Sequence, residues 1–141
     1  MKLLVATDGS ENALRAVDYA IEMLGKLKEP GSITLISVHD DTALRHAQRF
    51  VGKEVVDDYL RELSDTDLAE ARKILEKSGV RHDNIIRTGH VPTEITKAGT
   101  DGGFDMVVLG SKGRSALKDL VIGSIAMRVI EMSSVPVLLV R

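Results

Sequence analysis

MVVLGSKGRSALKDLVIGSIAMRVIEMSSVPVLLV, residues 106 to 140, is the stretch from which the fold can be read. It begins with a short apolar run, MVVLG, and ends with another, VPVLLV, whose start Pro136 marks. Between them Ile125, Ala126, Val129, Ile130 and Met132 recur at the spacing of a helix face, and the helix begins at or near Gly123. Strand, glycine-bearing loop, helix and strand in that order form a parallel crossover unit. Hairpin strands would need only a tight turn, whereas parallel strands need a connection of this length. Both runs are continuously apolar rather than alternating, which suits strands covered on both faces.

Working outward, the same grammar repeats. LLVA at 3–6, ITLISV at 33–38 and NIIRT at 84–88 read as three further strands, the last mixed enough to be an edge. Residues 12–27 carry Ala13, Ala16, Val17, Ala20, Ile21, Leu24 and Leu27 at helical spacing, with Pro30 and Gly31 as a stop. From about 51 to 77, Val56, Leu60, Leu63, Ala71, Ile74 and Leu75 trace a second stripe that Gly79 ends. Ser64 to Asp67 interrupts that stripe, leaving a kink or a second helix start open. A short helix opens on Pro92, passes through Ile95 and Ala98, and is expected to end at Gly99 and Gly102–Gly103. The pattern predicts an α/β protein: a three-layer α/β/α sandwich on a five-stranded parallel sheet of order 3-2-1-4-5.

At 141 residues, with no linker-like or low-complexity stretch, residues 1–141 are expected to form one domain. Net charge is -2, so no global field favours nucleic acid or an anionic membrane, and neither is expected as a partner. The absence of cysteine excludes disulfides, thiolate metal sites and thiol catalysis. MKLLVATDGSE is too short an apolar run for a signal-peptide core, and no run approaches spanning length, so the expected location is cytoplasmic.

In the 3-2-1-4-5 order the winding reverses between the first and fourth strands, and a ligand crevice opens there at the strands' carboxyl ends. Those ends are Thr7-Asp8-Gly9 and Gly110. Gly110 is expected to keep a side chain out of the crevice, and Gly113 to supply a positive φ or a close backbone approach to a ligand. Gly123 and Ser124 stand at a helix start, where unpaired N–H groups favour an anion. The loop holds Lys112, Arg114 and Lys118 against Asp119 alone. Neither a Walker A loop nor GxGxxG is present.

The pattern Gly-x2-Gly-x9-Gly-Ser, set after an apolar strand and before a helix leading to VPVLLVR, resembles the ATP-binding branch of the universal stress protein family. The resemblance spans the chain, from LLVATDGSENALRAVDYA through ITLISVHD to the C-terminus. It implies ATP with Mg2+ as ligand and adenine held by backbone groups beside Val38. Asp8 would lie near ribose and phosphates, with Ala6 and Thr7 lining the wall. Gly110, Ser111, Gly113, Arg114, Gly123, Ser124 and Ile125 match the phosphate and ribose loop. It also implies a homodimer pairing the last strand, 135–140, with its twin. Two departures fall in the third crossover: Gly89-His90-Val91-Pro92 carries one extra residue before proline, and Gly99 replaces a better helix former.

Other readings stay open beside this one. Asp8 can cap the first helix, as Ser10 also can, and can hold Mg2+ through water. His39, His46, His82 and His90 lack zinc spacing and read as surface or loop residues. No GxSxG elbow accompanies Ser111, Ser115 or Ser124. Met127 and Met132 read as core or interface packing. Residues 40–53, with Arg45, His46, Arg49 and Lys53, read as a flap over the adenine pocket or as a solvated loop. Three functions remain: an ATP-binding regulator of a stress response, a slow ATP hydrolase or phosphotransferase, and an interaction module with a vestigial nucleotide site.

Overall fold

Strand residues alternate between two cores, and that alternation builds the molecule. In a computed structural model, which describes residues 1–113 and 121–141, five parallel strands lie in the order β3-β2-β1-β4-β5. They are β1 Lys2–Ala6, β2 Ser32–His39, β3 Arg81–Thr88, β4 Met106–Gly110 and β5 Val137–Val140. Leu3, Val5, Ile33, Leu35 and Val108 point to one face, where α1 (Glu11–Gly25) and α3 (Lys53–Ser78) cover them with Val17, Ala20, Leu68, Ala71 and Leu75. Leu4, Ile36, Val107 and Leu109 point to the other, under α4 (Val91–Asp101) and α5 (Ser124–Met132) through Ile95, Ala98, Ala126 and Val129. The expected three-layer sandwich and strand order are therefore found. No helix among the described residues is long and apolar enough to cross a membrane.

Several boundaries differ from the sequence reading for identifiable reasons. β5 begins at Val137, while the Pro136 carbonyl accepts from Val107 N at 2.9 Å as a lead-in. α3 runs unbroken through Ser64–Asp67, because Ser64 and Asp67 both fall on its buried face. Gly99 does not end α4 but lies inside it. A Cβ there would stand 3.0 Å from Val107 Cγ2, so the glycine lets the helix approach the sheet. Residues 40–53 are not a loop: Thr42–Val51 forms a helix, α2, that ends at Gly52. Asp40 starts it by accepting from Thr42 N at 2.8 Å and from the Thr42 hydroxyl, bonds that hold its carboxyl below the ordinary range.

Candidate functional site

The carboxyl ends of β1 and β4 and the N-terminus of α5 meet around a cleft of about 210 Å3. After β1 the chain turns sharply: Gly9 N donates to Thr7 Oγ1 at 3.2 Å, and Ser10 N donates to Asp8 Oδ1 at 2.9 Å. The side chain that caps α1 is Ser10, whose Oγ accepts from Ala13 N at 3.3 Å. Asp8 is thereby held at the crevice rather than at the cap. A Cβ on Gly113 would lie 3.1 Å from Asp8 Oδ2, which places the loop backbone directly against this carboxylate.

Of the residues singled out in the sequence, Ala6, Thr7, Asp8, Val38, Gly110, Gly113, Gly123, Ser124 and Ile125 line the cleft. Ser111 does not line it. Its side chain is buried, its N–H donates to Val140 O at 2.7 Å, and its carbonyl accepts from Gly123 N at 2.6 Å. Ser111 thus ties both ends of the glycine loop to the last strand. Arg114 lies outside the described residues, as do Lys118 and Asp119.

The glycines divide by cause. A Cβ on Gly110 would stand 2.8 and 2.9 Å from the backbone carbon and oxygen of Asn12, so the first turn of α1, more than the crevice, demands that glycine. Gly113 has no positive φ, which removes that reason for its identity. Gly123 sits at φ -73, ψ 160, and a Cβ there would make only ordinary contacts of 3.4 Å or longer. The described residues give Gly123 no reason of their own to lack a side chain. It is the N-cap of α5, and no side chain there makes a capping bond. The first N–H groups of α5 accordingly face the cleft with the positive end of the helix dipole.

Sequence reasoning named Lys112 only as loop charge and missed Ile36, Leu109, Val91, Ile95, Ala13 and Ala126, all of which line the same space. Strand alternation would have supplied Ile36, two residues before Val38. Val91 and Ile95 carry no such signal, since they arrive from α4 only once the third crossover packs on that face. Together with Ile36, Val38 and Leu109 they supply apolar lining, while Asp8, Lys112, Gly113 and Ser124 supply the polar and charged part. No cleft-lining residue comes from 40–53, so the expected flap does not border this space. One histidine also departs from its reading: His39 Nε2 lies 2.9 Å from Asp67 Oδ2 under α3, on the sheet face away from the cleft, though too poorly aligned for a hydrogen bond.

An α/β sandwich with an uncapped helix start at its switch point has the arrangement in which doubly wound folds place ligands. The Universal stress protein family matches residues 1–141, and the chain belongs to that family. It is 28% identical to Universal stress protein YxiE of Bacillus subtilis (strain 168), over 99% of this chain and 98% of the relative. The solved structure of protein MJ0577, which occurs in Methanocaldococcus jannaschii, superposes with a TM-score of 0.85 at 30% identity, covering 99% of this chain and 94% of that one. A universal stress protein from Archaeoglobus fulgidus, solved in complex with dAMP, shares the fold at a TM-score of 0.63 and 20% identity, over 100% and 98% of the two chains.

Proposed function

We propose that this chain is a cytoplasmic, single-domain, adenine-nucleotide-binding regulator of a stress response that holds ATP in the cleft between β1, β4 and α5. The observation that carries the reading is the bare Gly123 at an α5 N-terminus without a side-chain cap, packed beside Gly113 and sharing with Asp8 a cleft that is otherwise largely apolar. A purine suits the apolar lining of Val38, Val91 and Ile95, and phosphates suit the polar part formed by Lys112, Gly113 and Ser124. Binding of dAMP by the Archaeoglobus fulgidus relative supports adenine as the base.

The residues also fit Mg2+. A carboxylate beside phosphate oxygens calls for a cation between them, and Asp8 supplies one. Among the described residues no three His, Asp or Glu side chains gather as a metal cluster, so the ion would lean on phosphate oxygens and water, with Asp8 reaching it through water. Asp8 Oδ1 already accepts from Ser10 N, which favours a holding role over that of a base aimed at an attacking water.

Titration calorimetry with ATP and Mg2+ tests the site. Gly113→Val should abolish binding with little change in circular dichroism. Ser124→Ala should weaken it about ten- to hundredfold, the loss of one hydroxyl bond to a charged phosphate. Equal affinities for wild type and both variants would place the phosphates elsewhere. Mass spectrometry of protein purified without added nucleotide separates the alternatives: retained ATP supports storage, retained ADP supports turnover, and no nucleotide together with no calorimetric binding supports a vestigial site.

A further inference from the structure

On the far side of the molecule from β5, the joint between α2 and α3 leaves apolar side chains uncovered. Phe50 is 89% exposed, and Val51, Val55 and Tyr59 continue the patch across Gly52 onto α3. The first turns of α3 bury Val56 and Leu60, which turns Val55 and Tyr59 outward. α2 is ten residues long and has no fully buried side chain, only Leu44, Ala47 and Gln48 being half-buried. A helix of that length is marginal in water without tertiary packing, so its persistence calls for a partner. Contiguous apolar exposure of this kind marks an interaction surface.

The charges around the patch identify the partner. Arg49 stands on α2 and Lys53 at the first position of α3, while Glu54, Asp57 and Asp58 outnumber Arg61 over the next turns of α3. None of these six makes an ion pair within the described residues. A membrane or a nucleic acid would demand a single positive face, which the acidic half denies. A two-fold axis through the apolar centre, by contrast, brings the basic half of one copy onto the acidic half of the other. A lid closing over the cleft is a poorer match. A hinge at Gly52 would move α2 alone and leave Val55 and Tyr59 uncovered.

We propose that the α2–α3 joint is a self-association surface that takes a second copy of this chain about a two-fold axis. Phe50 and Tyr59 are its apolar anchors, and the basic and acidic flanks set its register. α2 packs on α3, and α3 packs on β2 and β3 rather than on β5, so the joint is separate from the β5 edge, and a chain using both surfaces builds assemblies larger than a dimer.

Sedimentation velocity over a dilution series tests this on the full chain. Phe50→Asp should raise the dissociation constant of the larger assembly about thirtyfold, as loss of an aromatic anchor does. Its circular dichroism and ATP affinity should not change, so a failure here is distinguishable from a failure of the nucleotide reading. Arg49→Glu with Lys53→Glu, and separately Asp57→Lys with Asp58→Lys, should each abolish assembly through this surface, and mixing the two proteins should restore it. Identical sedimentation of wild type and Phe50→Asp, or no restoration on mixing, overturns the proposal. So does hydrogen-exchange protection of residues 42–59 that follows ATP rather than protein concentration, the signature of a lid.

Discussion

Gly110 and Gly123 look alike in the sequence and answer to different neighbours. A methyl on Gly110 would meet the backbone of Asn12 inside 3 Å, and backbone cannot swing aside as a flexible side chain can. Gly110→Ala should therefore cost about 1–3 kcal/mol of stability, read as a lower urea midpoint, because α1 must be pushed off β4. At Gly123 the same methyl meets nothing closer than 3.4 Å, and the backbone angles suit any residue. Gly123→Ala should keep the wild-type midpoint and lose ATP affinity, since the methyl occupies the space in front of the helix N–H groups. A Gly123 variant that loses stability but keeps affinity would make that glycine a helix start and no more. The loop pattern made both positions conspicuous, but it could not separate a packing glycine from one that a ligand would need.

At the scale of the element, α3 shows how a polar run can mislead. Ser-Asp-Thr-Asp at 64–67 has the composition of a helix start, and residue preference alone favours a break. The helix continues because its buried stripe passes through Ser64 and Asp67, and β2 meets Asp67 with His39. Two carboxylates on this helix should behave differently. Asp65 is 54% exposed and faces Arg72 at 3.3 Å, a surface pair whose loss in Asp65→Ala should stay within about 1 kcal/mol. Asp67 is 7% exposed and lies 2.9 Å from His39, and Asp67→Ala should cost more than Asp65→Ala by stripping a buried site of its charged group. Thermal or urea unfolding of both variants measures the difference. Equal losses would mean that α3 does not rely on the β2 contact. The helix at 42–51 escaped the sequence reading for the complementary reason: it contributes nothing to the core, so no buried stripe advertised it.

Over the whole molecule the two sheet edges are treated unequally. β3 presents Arg81, His82, Asp83 and Arg87 along its length, charges that discourage another strand from pairing. β5 carries Val137, Leu138, Leu139 and Val140, all half-buried and uncharged. Beside it α5 exposes Ile125, Met127, Ile130 and Met132. These features support a homodimer that pairs β5 with its twin. Leu138→Lys should shift the protein towards monomer in sedimentation, with circular dichroism reporting that the fold survives; a wild type that is already monomeric at this edge would end that reading. The two proposed contacts, strand pairing at β5 and helix pairing at the α2–α3 joint, use different surfaces of the molecule.

The sequence by itself determined the strands, the crossovers, their order and the position of the crevice, because each rests on short-range periodicity and on the handedness of parallel connections. It also singled out Asp8, Gly110, Gly113, Gly123 and Ser124, which line that crevice. Tertiary structure alone decided that Gly110 answers to Asn12 while Gly123 would leave a side chain only ordinary contacts. It alone brought Val91 and Ile95 from α4 to the apolar lining of the cleft, carried α3 through its polar run, and left α2 folded yet uncovered. Those outcomes depend on contacts between residues far apart in the chain, and no local pattern of side chains encodes how closely two elements approach.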